Sequence, residues 1–342
     1  MRTTRRVQAQ QCIEGIAMKR RHFPALVGLV ATCVFSAHVS AIAQGAFPDR
    51  PIRIVVPYPP GGATDVSARL VAGEMAKLLA QSVIVENKPG VAGVIGTDLV
   101  AKSPADGYTL VFGGAGNLTL RPIMDPKLSY KVDKDLAPIS HVVTYDHLLV
   151  VRNGLPARTV QEFLKVAKER KLSYGSSGTG GPQHLAMELL KFMTHTEMTH
   201  VPYKGESPAI LDLVGERVDA AIISTAVAGQ LIKGGKIRAI AAANPYRSRI
   251  FPELPTISEA GVPGYEMEAY GGLLAPANTP APVLAKLQRA AMDAMKAPAL
   301  QQQFIDGGLI PIGGTSADLS KLLQKEREKW APIIKSSGVT LE

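Results

Sequence analysis

Two stretches of the chain share one design. Val56 through Asp65 and Tyr174 through His184 each run from a strand-like apolar segment, through a glycine-rich loop, into the start of a helical pattern. Glycine lets the backbone turn sharply and approach a bound group closely. The first turn of a helix carries N–H groups without intrahelical partners and about half a positive charge, which suits a carboxylate or a phosphate. Ser176, Ser177 and Thr179 add hydroxyl donors, and Gln183 and His184 stand at the start of the second helix. In open α/β sheets such loops lie beyond the carboxyl ends of the strands, where ligands bind. Either loop alone is generic to the fold class. As a pair, one in each half of the chain, they would set two anion-binding helix ends across a shared cleft, fit for a compact dianion or an amino acid. Gly113, Gly114 and Asn117, after a third strand, are further candidates to line it.

Other chemistries find less support. Ser176 or Ser177 with His184 and Asp65 offers the residue types of a serine-type hydrolase, the remote alternative, but Gly175-Ser176-Ser177-Gly178 is not the G-x-S-x-G nucleophile elbow. His184 and Glu188 stand four apart, a spacing a metal can use, yet no third ligand accompanies them. His195 and His200, flanking Glu197, read as surface or strand residues. Gly114-Ala115-Gly116 lacks the third glycine of a dinucleotide fingerprint, and there is no phosphate-loop motif. The requirements of an active site are not met. The chain is therefore read as a binding protein and not an enzyme, with no catalytic residue, no metal and no cofactor.

The loops need a frame to position them. Strand-like runs alternate with helical patterns, the signature of α/β architecture with parallel sheet. Ile52 to Val56 opens as a strand, and the helix after it repeats Val71, Met75 and Leu78 on one face, with Thr64 or Asp65 placed to cap it. Val83 to Val85 and Tyr108 to Phe112 are strands, with a short helix from Gly96 to Lys102 between them. Leu148 to Val151 begins a new unit that contains the helix Thr159 to Lys171, the strand at Leu172, and a helix from Pro182 with Leu185, Leu189 and Phe192 on one face. Further strands fit Thr199 to Val201, Ala220 to Ile223 and Ile237 to Ala242. Tyr270 to Pro276 crosses back, and helices Pro282 to Lys296 and Ala317 to Lys335 close the chain. No repeat and no proline-rich linker interrupts it, so two lobes joined by crossing segments are expected: residues 44–147 with 271–342, and residues 148–270.

The N-terminus stands apart. Lys19, Arg20 and Arg21 precede an uncharged apolar run from Phe23 to Phe35, and small residues end in Ala41-Ile42-Ala43. That order is a cleavable secretory signal peptide over residues 1–43, with Met18 an alternative start. Arg20-Arg21 also fits a twin-arginine signal, and Val30-Ala31-Thr32-Cys33 is a poor lipoprotein box. The formal charge of +9 falls to +4 once six basic residues and one acid leave with the leader, and both cysteines, Cys12 and Cys33, leave too. With modest charge, 5% aromatics and no nucleic-acid motif, no nucleic-acid partner is expected. The run Lys321 to Lys329, interspersed with Glu326 and Glu328, reads as a solvated helix face.

The stretch Phe47-Pro48-Asp49-Arg50-Pro51-Ile52-Arg53-Ile54-Val55-Val56-Pro57-Tyr58-Pro59-Pro60-Gly61-Gly62-Ala63-Thr64-Asp65 resembles the opening of tripartite tricarboxylate transporter substrate-binding receptors, the Bug-type periplasmic solute-binding proteins. Val85-Glu86-Asn87-Lys88-Pro89-Gly90, Ala105-Asp106-Gly107-Tyr108-Thr109-Leu110, Tyr174 through Gly180, Gln183-His184-Leu185-Ala186 and His200 through Gly205 extend the likeness over essentially all of the mature chain. The resemblance implies a two-lobed periplasmic-binding-protein (Venus flytrap) fold with the ligand in the interlobe cleft. It also implies a small carboxylate or related organic ligand, membrane components of the transporter as partners, and a monomer in the periplasm. Carried over by residue, the implied ligand contacts are Tyr58, Gly62, Ala63, Thr64, Asp65, Ser176, Ser177, Thr179, Gln183 and His184. A sensing protein that feeds a signalling partner is the alternative, which the sequence leaves open. Two positions depart from the family pattern. Val94 stands where Asn is frequent, and Ile222-Ile223-Ser224-Thr225 replaces a strand end that often carries an acid facing the cleft. Loss of that acid favours a carboxylate ligand without an essential amine.

Overall fold

The structure is a computed structural model that describes residues 47–337. The leader, Met18 and both cysteines lie outside the described residues. From Pro48 onward the chain forms one compact unit. Its strands are β1 (Ile52–Val56), β2 (Val83–Asn87), β3 (Thr109–Gly114), β4 (Leu136–Tyr145), β5 (His147–Arg152), β6 (Leu172–Ser176), β7 (Met198–Pro202), β8 (Ala220–Ser224), β9 (Ile237–Ala242), β10 (Ala269–Pro276) and β11 (Leu309–Pro311). They form two sheets, one ordered β11-β4-β10-β3-β1-β2 and the other β7-β6-β8-β5-β9.

The sheets are mixed, which corrects the expectation of parallel sheet. β1 is parallel to β2 and β3, and β6 to β7 and β8, as helical crossovers require. In contrast, β10 runs antiparallel to β3 and β4, and β5 antiparallel to β8 and β9. Both odd strands enter directly from the other sheet: β5 follows β4 after the single residue Asp146, and β10 follows the segment that leaves β9. No crossover helix fixes their sense, so they are free to run against their neighbours.

The central strands are covered on both faces. Ile52, Ile54, Val55 and Val56 of β1 are fully buried, as are Ala220 to Ser224 of β8, so they read as continuous apolar runs. The helix Ala63–Leu79 buries Val71, Ala72, Met75 and Leu79, and the helix Pro182–Thr194 buries Leu185, Leu189 and Leu190. Leu78 and Phe192, expected on those faces, are about half exposed in the last turn of each helix, where cover ends. Pro182 fills the first helical position, where its missing N–H costs nothing.

The face Lys321 to Lys329 is also corrected. Within the helix Ser316–Ser337, Glu326 is fully buried and accepts from Trp330 Nε1 at 3.0 Å and Lys329 Nζ at 2.6 Å. Burial pushes its pKa up, against the pull of Lys329. An indole N–H four residues on gives this acid a partner that charge alternation does not reveal.

A compact polar knot holds the two sheets together at the crossing. Asn244 Oδ1 accepts from the His147 backbone N–H at 2.7 Å, and its Nδ2 donates to the Tyr145 carbonyl at 2.9 Å. The Thr225 N–H donates to the Asp146 carbonyl at 2.8 Å, and Thr225 Oγ1 to the Gly308 carbonyl at 2.6 Å. Ser248 Oγ hydrogen-bonds the Asp146 carboxyl.

Candidate ligand-binding site

The first loop leaves β1 at Val56 and is folded back by Asp65. One carboxylate oxygen of Asp65 accepts from the Gly61 N–H at 3.0 Å and from Arg69 Nε at 3.0 Å, and the other from Asn87 Nδ2 at 2.9 Å. Burial would push its pKa up, but the hydrogen bonds from Arg69, Gly61 and Asn87 outweigh this and hold it below the ordinary carboxylate value. Asp65 was expected, with Thr64, to cap the helix. Instead the helix starts at Ala63 with Gly62 as its cap residue, and no side chain caps it. The reason is position: Asp65 is already inside the first turn, so its carboxylate reaches back to the loop. The N–H groups of Ala63, Thr64 and Asp65 are left without intrahelical partners. Gly61 sits at φ +83°, a conformation that glycine adopts without strain.

Tyr58 is fixed by Asn117. Its hydroxyl donates to Asn117 Oδ1 at 3.0 Å, that oxygen also accepts from the Gly114 N–H at 2.9 Å, and Asn117 Nδ2 donates to Thr97 Oγ1 at 2.7 Å. Asn117 is wholly buried, with its side-chain oxygen and nitrogen both engaged within the protein. Burial pushes the Tyr58 pKa up, keeping the phenol neutral.

The second loop is built as tightly. Ser176 Oγ meets His200 Nε2 at 2.6 Å and accepts from the Gly178 N–H at 3.2 Å. Ser177 Oγ donates to Gln183 Oε1 at 2.5 Å, and the Gly180 N–H donates to His184 Nδ1 at 3.0 Å. Gly178 and Gly180 stand at φ +134° and +74°. Gly181 precedes the Pro182 helix and again no side chain caps it. Ser177 and Thr179 are half-buried, while Gln183 and His184 are buried. Beneath the loop, Tyr174, His200 and His184 stack face to face, with ring centroids 5.0 Å and 3.8 Å apart. Desolvation holds both imidazoles below the ordinary histidine pKa, His200 at about 4 with a further contribution from His184.

The two loops face one another. A Cβ placed on Gly116 would lie 2.7 Å from the Tyr58 hydroxyl and 3.4 Å from Pro182 Cδ, so the first loop and the second helix converge there. The structure therefore brings Tyr58 of the first loop close to Pro182 at the start of the second helix. Gln183 and His184 are engaged inside the protein, whereas among the described residues the helix-start N–H groups and the Thr179 hydroxyl have no hydrogen-bond partner.

Three residues at this junction escape sequence reasoning, Tyr145, His147 and Glu206, which meet Ser224 of the strand end already singled out. Glu206 opens the helix Glu206–Val214 and is buried. It accepts from Ser224 Oγ at 2.5 Å and from Gln183 Nε2, and His147 Nε2 lies 3.5 Å away. Glu206 thus sets a buried carboxylate beside Ser224 at the end of β8. The only sequence signal was an acid directly after Tyr203-Lys204-Gly205. Among the described residues no group of three or more His, Cys, Asp or Glu is placed to hold a metal ion.

The family model described as "Tripartite tricarboxylate transporter family receptor" matches residues 67–339. The chain belongs to this family of receptors. BugT of Bordetella pertussis is 34% identical over 93% of the chain and 98% of its own length. An R. palustris protein solved with adipate superposes with a TM-score of 0.82 at 33% identity, covering 86% of this chain and 99% of that one. MatC of Rhodopseudomonas palustris, solved with malate, gives 0.78 at 32%, covering 84% and all of its own chain. The receptor shares the two-sheet α/β architecture of these binding proteins.

Proposed function

We propose that this receptor captures a small carboxylate in the periplasm and presents it to the membrane components of a tripartite tricarboxylate transporter. The observation that carries the reading is the pair of uncapped helix starts, at Ala63 and Pro182, facing one another across one cleft. The ligand carboxylate takes the free N–H groups and the hydroxyls of Thr64 and Thr179, with Ser177 held beside them by Gln183 and Tyr58 closing one side. These donors are neutral, so affinity comes from oriented dipoles and not from a basic surface. Adipate and malate in related receptors support this ligand class. Lobe boundaries at residues 44–147 with 271–342 and at residues 148–270 place one loop in each lobe, so closure on the ligand is what a partner reads. Cleavage after Ala43 delivers the protein to the periplasm, where it works as a monomer without enzymatic turnover.

A thermal-shift and calorimetry screen of mono- and dicarboxylates tests the reading. A ligand at 100 times its dissociation constant stabilises by about 2.7 kcal/mol. Binding of at least one carboxylate, abolished by Ser177→Phe, is expected. No shift with any carboxylate overturns the proposal.

A further inference from the structure

We infer that His184 is a positioning residue: it holds the tip of the second loop in shape only while its imidazole is neutral, so acidification loosens that loop and lowers affinity for the carboxylate. The inference rests on the reading that this loop meets the ligand, and it names how that same site is regulated.

The geometry fixes which nitrogen of His184 carries the proton. The Gly180 backbone N–H donates to His184 Nδ1 at 3.0 Å, so Nδ1 is a bare acceptor. The ring proton then sits on Nε2, 4.0 Å from Glu188 Oε1. An imidazolium carries a proton on Nδ1 as well, and two donors cannot share one hydrogen bond. Protonation therefore breaks the bond to Gly180. Among the described residues that bond is the sole hydrogen bond made by Thr179 or Gly180. It alone fastens the tip that carries the Thr179 hydroxyl, between Gly178 at φ +134° and Gly180 at φ +74°. The stacked partner ring is tied into the same loop, since His200 Nε2 meets Ser176 Oγ at 2.6 Å.

The surroundings of His184 set the direction of the response. On its own helix, Glu188 favours the imidazolium and Lys191 opposes it. Glu188 is already bonded to Lys191 Nζ at 2.7 Å and to the Tyr174 hydroxyl of β6 at 2.5 Å. From β7 comes His200, 3.8 Å away. β8, which also packs on this helix, carries no titratable residue. The helix Ser316–Ser337 packs there too, and its buried Glu326 is paired with Lys329 and Trp330. Glu206 lies beyond Gln183, whose Nε2 donates to it. Burial is the largest influence and holds His184 below the ordinary histidine value of 6.5. The ordered loop thus refuses a proton that a loosened loop accepts. Binding competence is full above pH 6.5 and is lost as the pH falls below it. A second proton on the stacked His200 is opposed by the first, so one proton is coupled and affinity falls by at most about tenfold per pH unit.

Nitrogen-15 NMR of the purified receptor reads the coupling without any ligand. At pH 7.5 His184 should show a protonated Nε2 and a bare Nδ1, and the Gly180 amide should shift along with the His184 titration as the pH falls to 4.5. A ring protonated on Nδ1 at pH 7.5, or a Gly180 amide that does not follow the ring, overturns the inference. Calorimetry with malate, succinate and adipate over the same range reads the consequence. For an acid that binds at pH 7.5, affinity should fall by about tenfold or more at pH 4.5. His184→Asn, which keeps an acceptor at the Nδ1 position without a titrating ring, should lose markedly less over that range. The acid's own protonation acts equally on both proteins, so the difference belongs to the imidazole. Equal losses overturn the inference and leave the carboxylate reading standing. If none of these acids binds at any pH, the inferred loss of affinity fails together with the reading on which it rests. The NMR titration needs no variant, so a misfolded His184→Asn does not shield the inference.

Discussion

The imidazoles of His184 and His200 lie face to face, ring centroids 3.8 Å apart and 11° from parallel, directly beneath the loop that carries Ser176 and Ser177. Neither ring can gain a proton without setting a positive charge against its neighbour in a buried stack. Both pKa values are lowered, His200 to about 4 against an ordinary 6.5, chiefly by desolvation. Between those values the unfolded chain binds protons that the folded one refuses, so stability falls as pH drops. Urea midpoints should fall steadily from pH 7 to pH 4. His200→Gln, which keeps a donor to Ser176, should flatten part of that slope, and an unchanged slope would show that the stack is not its source.

Asn117→Ala removes three hydrogen bonds at once, those to Tyr58, Gly114 and Thr97. It strands a buried phenol and a buried N–H, each costing about 1–3 kcal/mol. We expect a loss of about 2–4 kcal/mol in equilibrium denaturation, with weaker carboxylate binding because Tyr58 is released. A loss below about 0.5 kcal/mol would mean that water replaces the amide.

Gly116 lies where the first loop approaches the second helix, and a methyl carbon there would lie 2.7 Å from the Tyr58 hydroxyl and 3.4 Å from Pro182. Gly116→Val should displace the Tyr58 phenol from Asn117 whether or not ligand is present. Its melting temperature should fall, and affinity for the bound carboxylate should fall by tenfold or more. Small-angle scattering with ligand should show a more open molecule than the unaltered receptor.

Val91 and Ala92 sit at φ +49° and +51°, between Gly90 and Gly93 at +137° and +93°. A left-handed conformation is strained for a β-branched residue, by about 1–2 kcal/mol. Val91 is also 55% exposed, so it has little packing to lose. Val91→Gly should leave stability unchanged or raise it by up to about 1 kcal/mol, read from urea midpoints. A clear destabilisation would mean that the valine side chain packs better than its exposure suggests.

Much of this frame was legible because its signals are local. Glycines at 61, 62, 178, 180 and 181 and Pro182 act over two or three residues, so both loops and the strands that feed them stood out. The helix Glu206–Val214 and the strand β4 did not, because no cap residue or clean period marks them. Glu326 misled for a related reason: a charged residue among charges reads as solvated until the indole that meets it is known.

The sequence by itself determined the two glycine-rich turns, the alternation of strands and helices, and the kinship with tripartite tricarboxylate transporter receptors, since each depends on residues adjacent along the chain. Only the tertiary structure decided what lies behind those turns. The β6–β7 register pairs Tyr174 with His200 and so builds the ring stack. The crossing at Asp146 brings His147, Gln183, Glu206 and Ser224 together. These residues are separated by up to 77 positions (His147 to Ser224), and no local propensity encodes such a meeting. Sheet register and burial assign their partners, and with them their charge.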